Sequence, residues 1–313
     1  MSLTTNLNRT PYWDDYDESK NFHRMLYHPK RAVQARELNQ SQTLIQKQIE
    51  RFGNHVFVDG TIVDGCEFQF DNNVTYVKLR DRNANGSLID VTGWGNNFVT
   101  GLTSGVKGFI VDINTGAEVS APNYNTLYVK LTGANGVNRQ FANNENLRIY
   151  TSANVYVGSA NTITANPVGL TTRFSVNEGI VYHKGFFVRA GAQGIILDRY
   201  STTPSYQVGF QTDESIITSD TDTTLLSNAQ GTENENAPGA DRLKLTPTLV
   251  KRRLTDTSNT NVLFPIFEIE DGVVRVVRNQ LYTMNLLMKW LAAHLKRVVI
   301  THYVLSILKS RTT

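Results

Sequence analysis

Along most of the chain, apolar and polar residues alternate with a spacing of two, the pattern of strands that bury one face. Two stretches break it. The first, KRAVQARELNQSQTLIQKQIERF, has no internal glycine or proline and is built from strong helix formers. It predicts a helix over 30–53, with Pro29 in the first turn and Gly53-Asn54 as the stop. The second, residues 281–313, carries Leu281, Leu286, Leu287, Trp290, Leu291 and Leu295 and predicts a short C-terminal helix.

The first helix repeats its apolar residues every seven positions. Leu38, Ile45 and Phe52 fall on one heptad row (d), and Ala35, Gln42 and Ile49 on the adjoining one (a). Two placements fit. The rows form a seam between copies of the chain, where Gln42 fixes register and chain number at a cost in stability. Alternatively, one amphipathic helix lies on its own β domain.

The strand-like remainder divides by its turn residues. Residues 1–29 form an extended arm bracketed by Pro11 and Pro29, whose Tyr12, Trp13 and Tyr16 suit docking on another surface. In HVFVDGTIVDGCEFQF, Asp59-Gly60 and Asp64-Gly65 punctuate apolar alternations and predict a β-hairpin region over 54–87. LIDV, KGFIVDI, TLYVKL and LRIYT predict an inserted all-β subdomain over 88–157, followed by a polar linker, GSANTITANPVG. A second β domain over 158–280 has strands on either side of His183-Lys184-Gly185 and a long polar loop over 218–242. The fold class expected is mainly β with an N-terminal α-helix: α+β overall, multi-domain and antiparallel.

Composition narrows the function classes. Charged residues are 19% of the 313 and hydrophobic residues 40%. Asn, Thr, Gly and Ser replace the missing charge, which suits many strands joined by tight turns. A net charge of +3 with no basic stretch gives nucleic-acid binding little support. The single cysteine, Cys66, rules out an intrachain disulfide and a cysteine zinc site, and fits assembly in a reducing cytoplasm. The apolar run Val298–Leu308 is too short to span a bilayer, so no membrane span is expected.

Little reactive chemistry is visible. The six histidines show no HExxH pair and no cysteine partner at metal spacing, so they read as core or surface residues. Asp220-Thr221-Asp222-Thr223-Thr224 after Ile216-Ile217 resembles an aspartyl-nucleophile motif. It lacks the βα alternation that would frame one, and reads as a turn. Asp14, Asp15, Asp17 and Glu18 could pair for glycoside cleavage, but they sit in the arm, where a fixed carboxyl separation is hard to hold. No catalytic residue, metal or cofactor is therefore expected, and the chain reads as a non-enzyme. A carbohydrate-binding platform would require several exposed aromatics together, with the 88–157 unit as the place to look.

Two long stretches resemble a known family. YDESKNFHRMLYHPKRAVQARELNQSQTLIQKQIERFGNHVFVDGTIVDG is similar to the N-terminal signature of a family of tailed-bacteriophage virion proteins. The match rests on Gln34, Ala35, Arg36, Glu37, Leu38, Asn39, Gln42, Phe52, Gly53, Asp59, Gly60 and Gly65. From Asn177 to Leu245 a second stretch follows the same family, through Gly185, Phe187, Pro204, Ser205, Tyr206, Gly209, Phe210 and the Ala237-Pro238-Gly239-Ala240-Asp241-Arg242 run. The resemblance implies a structural part of the tail, baseplate or tail-fibre base, assembled in the host cytoplasm. Its partners would be itself, as a homotrimer, and other tail or baseplate proteins. A receptor- or glycan-binding tail protein is the alternative, and a tail-associated hydrolase a remoter one. The C-terminus departs from the family: MNLLMKWLAAHLKRVVITHYVLSILKSRTT is basic and apolar where members turn acidic.

Overall fold

Strand-forming alternation becomes fifteen strands in the computed structural model, which describes residues 3–117, 123–134, 139–256 and 264–277. Helix α1 (Ala35–Val56) precedes β1 (Thr61–Gly65), β2 (Phe68–Leu79), β3 (Phe98–Gly101), β4 (Val106–Asn114), β5 (Asn125–Ala134), β6 (Asn146–Tyr150) and β7 (Tyr156–Asn161). Then come β8 (Val168–Val176), β9 (Gly179–His183), β10 (Phe186–Ala190), β11 (Gln193–Ile196), β12 (Tyr206–Ile217), β13 (Arg242–Arg253), β14 (Phe264–Glu270) and β15 (Val273–Val277). The protein is mainly antiparallel β with one long helix near the N-terminus. The expected C-terminal helix over 281–313 lies outside the described residues.

Helix α1 runs 35–56 rather than 30–53. Lys30 has a positive φ and Gln34 is extended, so Pro29 is not in the first turn. The helix starts where the Glu37 carboxylate reaches back to accept from the Gln34 amide at 2.9 Å. Gly53 does not stop it. It is buried inside the last turns, where the Tyr182 ring lies against its backbone.

Strands β1, β9 and β10 form one sheet, with β9 in the middle. The two Asp-Gly pairs therefore do not build a local hairpin over 54–87. Strand β1 pairs with β9, with Thr61 opposite Tyr182 and Gly65 opposite Gly179. Positive φ at Gly65 and Cys66 swings the chain out of that sheet into β2, and the Cys66 amide donates to Glu178 O at 3.1 Å. A true two-residue hairpin turn is Lys184-Gly185 between β9 and β10, and Asp271-Gly272 makes another between β14 and β15. Both residues of each turn have positive φ, as a type I′ turn demands.

Eight strands form a second sheet in the order β11-β8-β2-β5-β4-β3-β6-β7. Within it β6-β3-β4-β5 is a Greek key. The far edge returns to β2: Leu79 bridges Thr162, and the Arg80 amide donates to Asn161 O at 2.8 Å. Six strands, β2, β5, β4, β3, β6 and β7, thereby close into an antiparallel barrel. Its interior is filled by the inward positions of the alternation, including Val77, Leu79, Val99, Ile110, Leu127, Val129, Leu147 and Ile149, all fully buried. Gly108 is small because a Cβ there would lie 2.2 Å from Val129.

Segment 88–157 is thus not a unit apart. It supplies barrel strands that β2 must complete. The polar linker read over 158–169 in fact contains the end of β7 and the start of β8. LIDV makes one bridge, Arg82 to Leu88, instead of a strand.

A third sheet, β13-β12-β14-β15, pairs β12 and β13 without interruption from Tyr206–Arg253 to Ile217–Arg242. It packs on β8–β11 through a second core, where Phe174 and Phe267 lie 4.7 Å apart beside Phe68. Residues 218–241 leave from the end of this ribbon. They are closed by a Leu226–Pro238 bridge and by Gly239 donating to Leu225 O at 3.0 Å.

Candidate docking site

A helix on the surface of a β domain ordinarily turns its apolar stripe inward. Helix α1 does the opposite. Its heptad residues Leu38, Ile45, Ile49 and Phe52 are 51%, 63%, 40% and 67% exposed, and Gln42 between them is exposed as well. The inward face is mostly polar and is matched partner for partner. Asn39 donates to Tyr12 O at 2.9 Å, Thr43 to the Asp14 carboxylate, and Gln46 to Gly185 O at 2.7 Å. The Tyr182 hydroxyl donates to Glu50 O at 3.1 Å, with Asn54 Oδ1 at 2.9 Å. Leu44 is the buried apolar side chain of the helix.

The arm is held by the same chain. Glu214 of β12 accepts from the amides of Thr4 and Thr5 at 2.9 and 2.7 Å and pairs with Lys184 of the β9–β10 turn. Tyr12 donates to Asp241 at 2.6 Å, and the Asp241 carboxylate holds the phenol above its ordinary pKa. Arg36 and Gln40 of α1 reach Asp15, and Arg51 reaches Glu18 at 2.7 Å. Of the three arm aromatics expected to dock elsewhere, Tyr12 is thus engaged at home. Tyr16 is half-buried, and Trp13 is 53% exposed.

Burial pushes the Glu214 carboxyl up. The Lys184 ammonium and the Thr4 and Thr5 amides outweigh it and hold the carboxyl at about 2, against an ordinary 4.5. A depressed folded-state pKa contributes stability that is complete above 4.5 and is lost as pH falls toward 2. Glu214→Gln should therefore cost on the order of 2–3 kcal/mol at pH 7. The gap between variant and native chain should close by about pH 2, as measured by urea midpoints across that range. A gap independent of pH would contradict the clamp.

The remaining chemical candidates are occupied structurally. Asp222 caps the short turn at Thr223–Leu225 by accepting from the Thr224 amide at 3.0 Å. It lines an open concavity of about 620 Å³ together with Ile217, Leu225, Arg242 and Lys244, and Asp220 is not among the lining residues. Buried Glu145 accepts from the amides of Thr103, Ser104 and Ala142 at 2.6–2.7 Å and fastens one end of the barrel. His183 is buried at 2.9 Å from Asp59, while His23 and His28 are exposed in the arm. Burial pushes the Cys66 thiol up to about 11, which leaves little thiolate near neutrality. Among the described residues, no three His, Cys, Asp or Glu side chains are placed to hold a metal ion, and no helix is long and apolar enough to cross a membrane.

Among the described residues, fold and site define an antiparallel β protein that turns the apolar stripe of helix α1 to the outside. By sequence the chain belongs to the family described as a domain of unknown function, DUF4815, whose model matches residues 10–91 and 143–295. No curated protein and no solved structure matches it. The unmatched stretch, 92–142, holds β3, β4 and β5. The heptad spacing marks the apolar stripe in the sequence but not the partners of the inward face. Those partners come from β9, β10 and the arm, and no local spacing announces them.

Proposed function

We propose that this chain is a structural component of a tailed-phage virion, at the baseplate or fibre base, that assembles as a homotrimer through α1. The observation that carries the assembly is the outward seam: four large apolar side chains in heptad register, on a helix whose other face is already docked. Ile49 at an a position and Ile45 at a d position favour three strands over two, and Gln42 at the central a layer sets the register. Placement in the virion is supported by the resemblance carried by the Gln34–Gln42 and Ala237–Arg242 motifs. Strand-built bulk and the clamped arm suit a rigid hub that holds neighbouring tail proteins. On this reading the chain needs no cofactor and carries out no catalysis.

Sedimentation equilibrium of the full chain at micromolar concentration should return three times the 35.1 kDa chain mass. A monomer under those conditions would remove the basis for the assembly. Antibody against the chain should decorate one end of the tail in purified particles that carry this gene, and unlabelled particles would remove the virion placement.

A further inference from the structure

Four aromatic side chains stand in register across four neighbouring barrel strands. Phe98 of β3 lies opposite Phe109 of β4 on one side and Tyr150 of β6 on the other, and Tyr150 lies opposite Tyr156 of β7. Their strand neighbours Val99, Ile110 and Ile149 fill the barrel interior, so the rings stand on the outer wall. Phe98 and Tyr156 are exposed, and Phe109 and Tyr150 half-buried. Ring centroids are 5.3 Å apart in the Phe98–Phe109 pair and 6.0 Å in the Tyr150–Tyr156 pair. At about 4.8 Å per strand, the row is roughly 14 Å long.

The adjoining row on the same wall is cationic and polar. Thr100 lies opposite Lys107 on one side and Arg148 on the other, and Arg148 lies opposite Ser159. Lys130 of β5 lies opposite Phe109. All three cations are exposed. None enters an ion pair among the described residues, and neither row contains a carboxylate at these positions. Beyond them Asn146 donates its amide to Asn161 at 2.8 Å, and Tyr156 donates to Ser159 at 3.0 Å.

A closed barrel has no need of rings on its outer wall. Where this barrel does carry them elsewhere, the chain covers them: Tyr76 and Tyr128 pack with Val74 beneath Ile196. The Phe109–Tyr156 row has no such cover among the described residues. We propose that this wall binds an extended acidic polysaccharide. Aromatic faces stack on the C–H faces of sugar rings, the hydroxyls and amides of Thr100, Ser159 and Asn146 exchange hydrogen bonds with sugar hydroxyls, and Lys107, Lys130 and Arg148 meet the carboxylate or sulfate groups. Single-stranded nucleic acid also stacks on rings, but it calls for a cationic groove that tracks its backbone. Here three cations flank a wall rich in hydroxyls and amides. The inference stands apart from trimerisation, since the row lies within one chain.

Titration calorimetry of the full chain tests it, with three sets of probes: uronate, sialate and sulfated polysaccharides; neutral dextran; and an oligothymidylate. At least one acidic glycan should bind, dextran and the oligonucleotide should bind at least tenfold more weakly, and Phe98→Ser/Tyr156→Ser should weaken the acidic glycan at least tenfold. Lys107→Glu/Arg148→Glu, which leaves the rings in place, should do the same, with far-ultraviolet circular dichroism and the urea midpoint unchanged in both variants. Preference for dextran or the oligonucleotide, no binding across the probes, or acidic-glycan binding that survives both variants would overturn the proposal.

Discussion

Ile45→Glu should leave a chain that sediments as a folded monomer where the proposed trimer is expected of the native chain. Burying an isoleucine side chain is worth about 1.5–3 kcal/mol, and a trimeric seam buries three at that layer. The variant also sets three carboxylates against one another in an apolar layer. Loss of ~5–9 kcal/mol raises the dissociation constant by more than three decades. The protomer should hardly notice, because Ile45 is 63% exposed within it and touches none of the polar contacts that dock α1. Its thermal midpoint, measured at a concentration where both proteins are monomeric, should agree with that of the native chain to within the effect of a surface substitution, about 0.5 kcal/mol. A trimer that survives Ile45→Glu places the assembly contact somewhere other than the α1 seam.

Gly53→Val should have the reverse profile and damage the protomer itself. A Cβ at residue 53 would stand 2.4 Å from the Tyr182 ring. That ring cannot easily retreat. It is fully buried, flanked by Phe57 at 5.4 Å and Phe187 at 5.2 Å, and its hydroxyl is held by Glu50 and Asn54. Overpacking of this kind costs roughly 1–3 kcal/mol for a methylene or two. With three added carbons at a contact that is already closed, a loss of about 3 kcal/mol is expected. The helix should lift from β9 and β10 before the sheets open, so amide exchange should accelerate first along 44–56 and in the β9–β10 turn. Native-like exchange and unchanged urea stability would show that α1 is not seated by this contact.

Several elements were legible without the fold because their signal is local. Helix α1 and the β9–β10 turn at Lys184-Gly185 follow from spacing and turn residues. So does the apolar heptad stripe, since a period of seven is a property of neighbouring turns. Errors arose where distant chain competes. Asp59-Gly60 and Asp64-Gly65 have hairpin chemistry, yet β1 finds its partner in β9, so the turns serve as corners. Gly53 resembles a helix stop because glycine is common there, but Tyr182 needs the space. Gly158–Asn161 is too small and polar to announce a strand, and it becomes one by lying beside β6 and closing on β2 at Leu79–Thr162. The aromatic row was invisible for a similar reason. Phe98, Phe109, Tyr150 and Tyr156 are adjacent only through strand register.

What the amino-acid order determined alone is therefore a set of elements with their two-sided character: strands with one apolar face, and a helix with one apolar stripe. Which side each element turns to water was decided by the tertiary structure. Docking of α1 spends its polar face on Tyr12, Asp14, Gly185 and Tyr182 and leaves Ile45 and Phe52 outside, and barrel closure sends Val99 and Ile149 inward and Phe98 and Tyr150 outward. Periodicity fixes the angle between faces but not the direction of the core, because that direction depends on contacts between residues far apart in the chain.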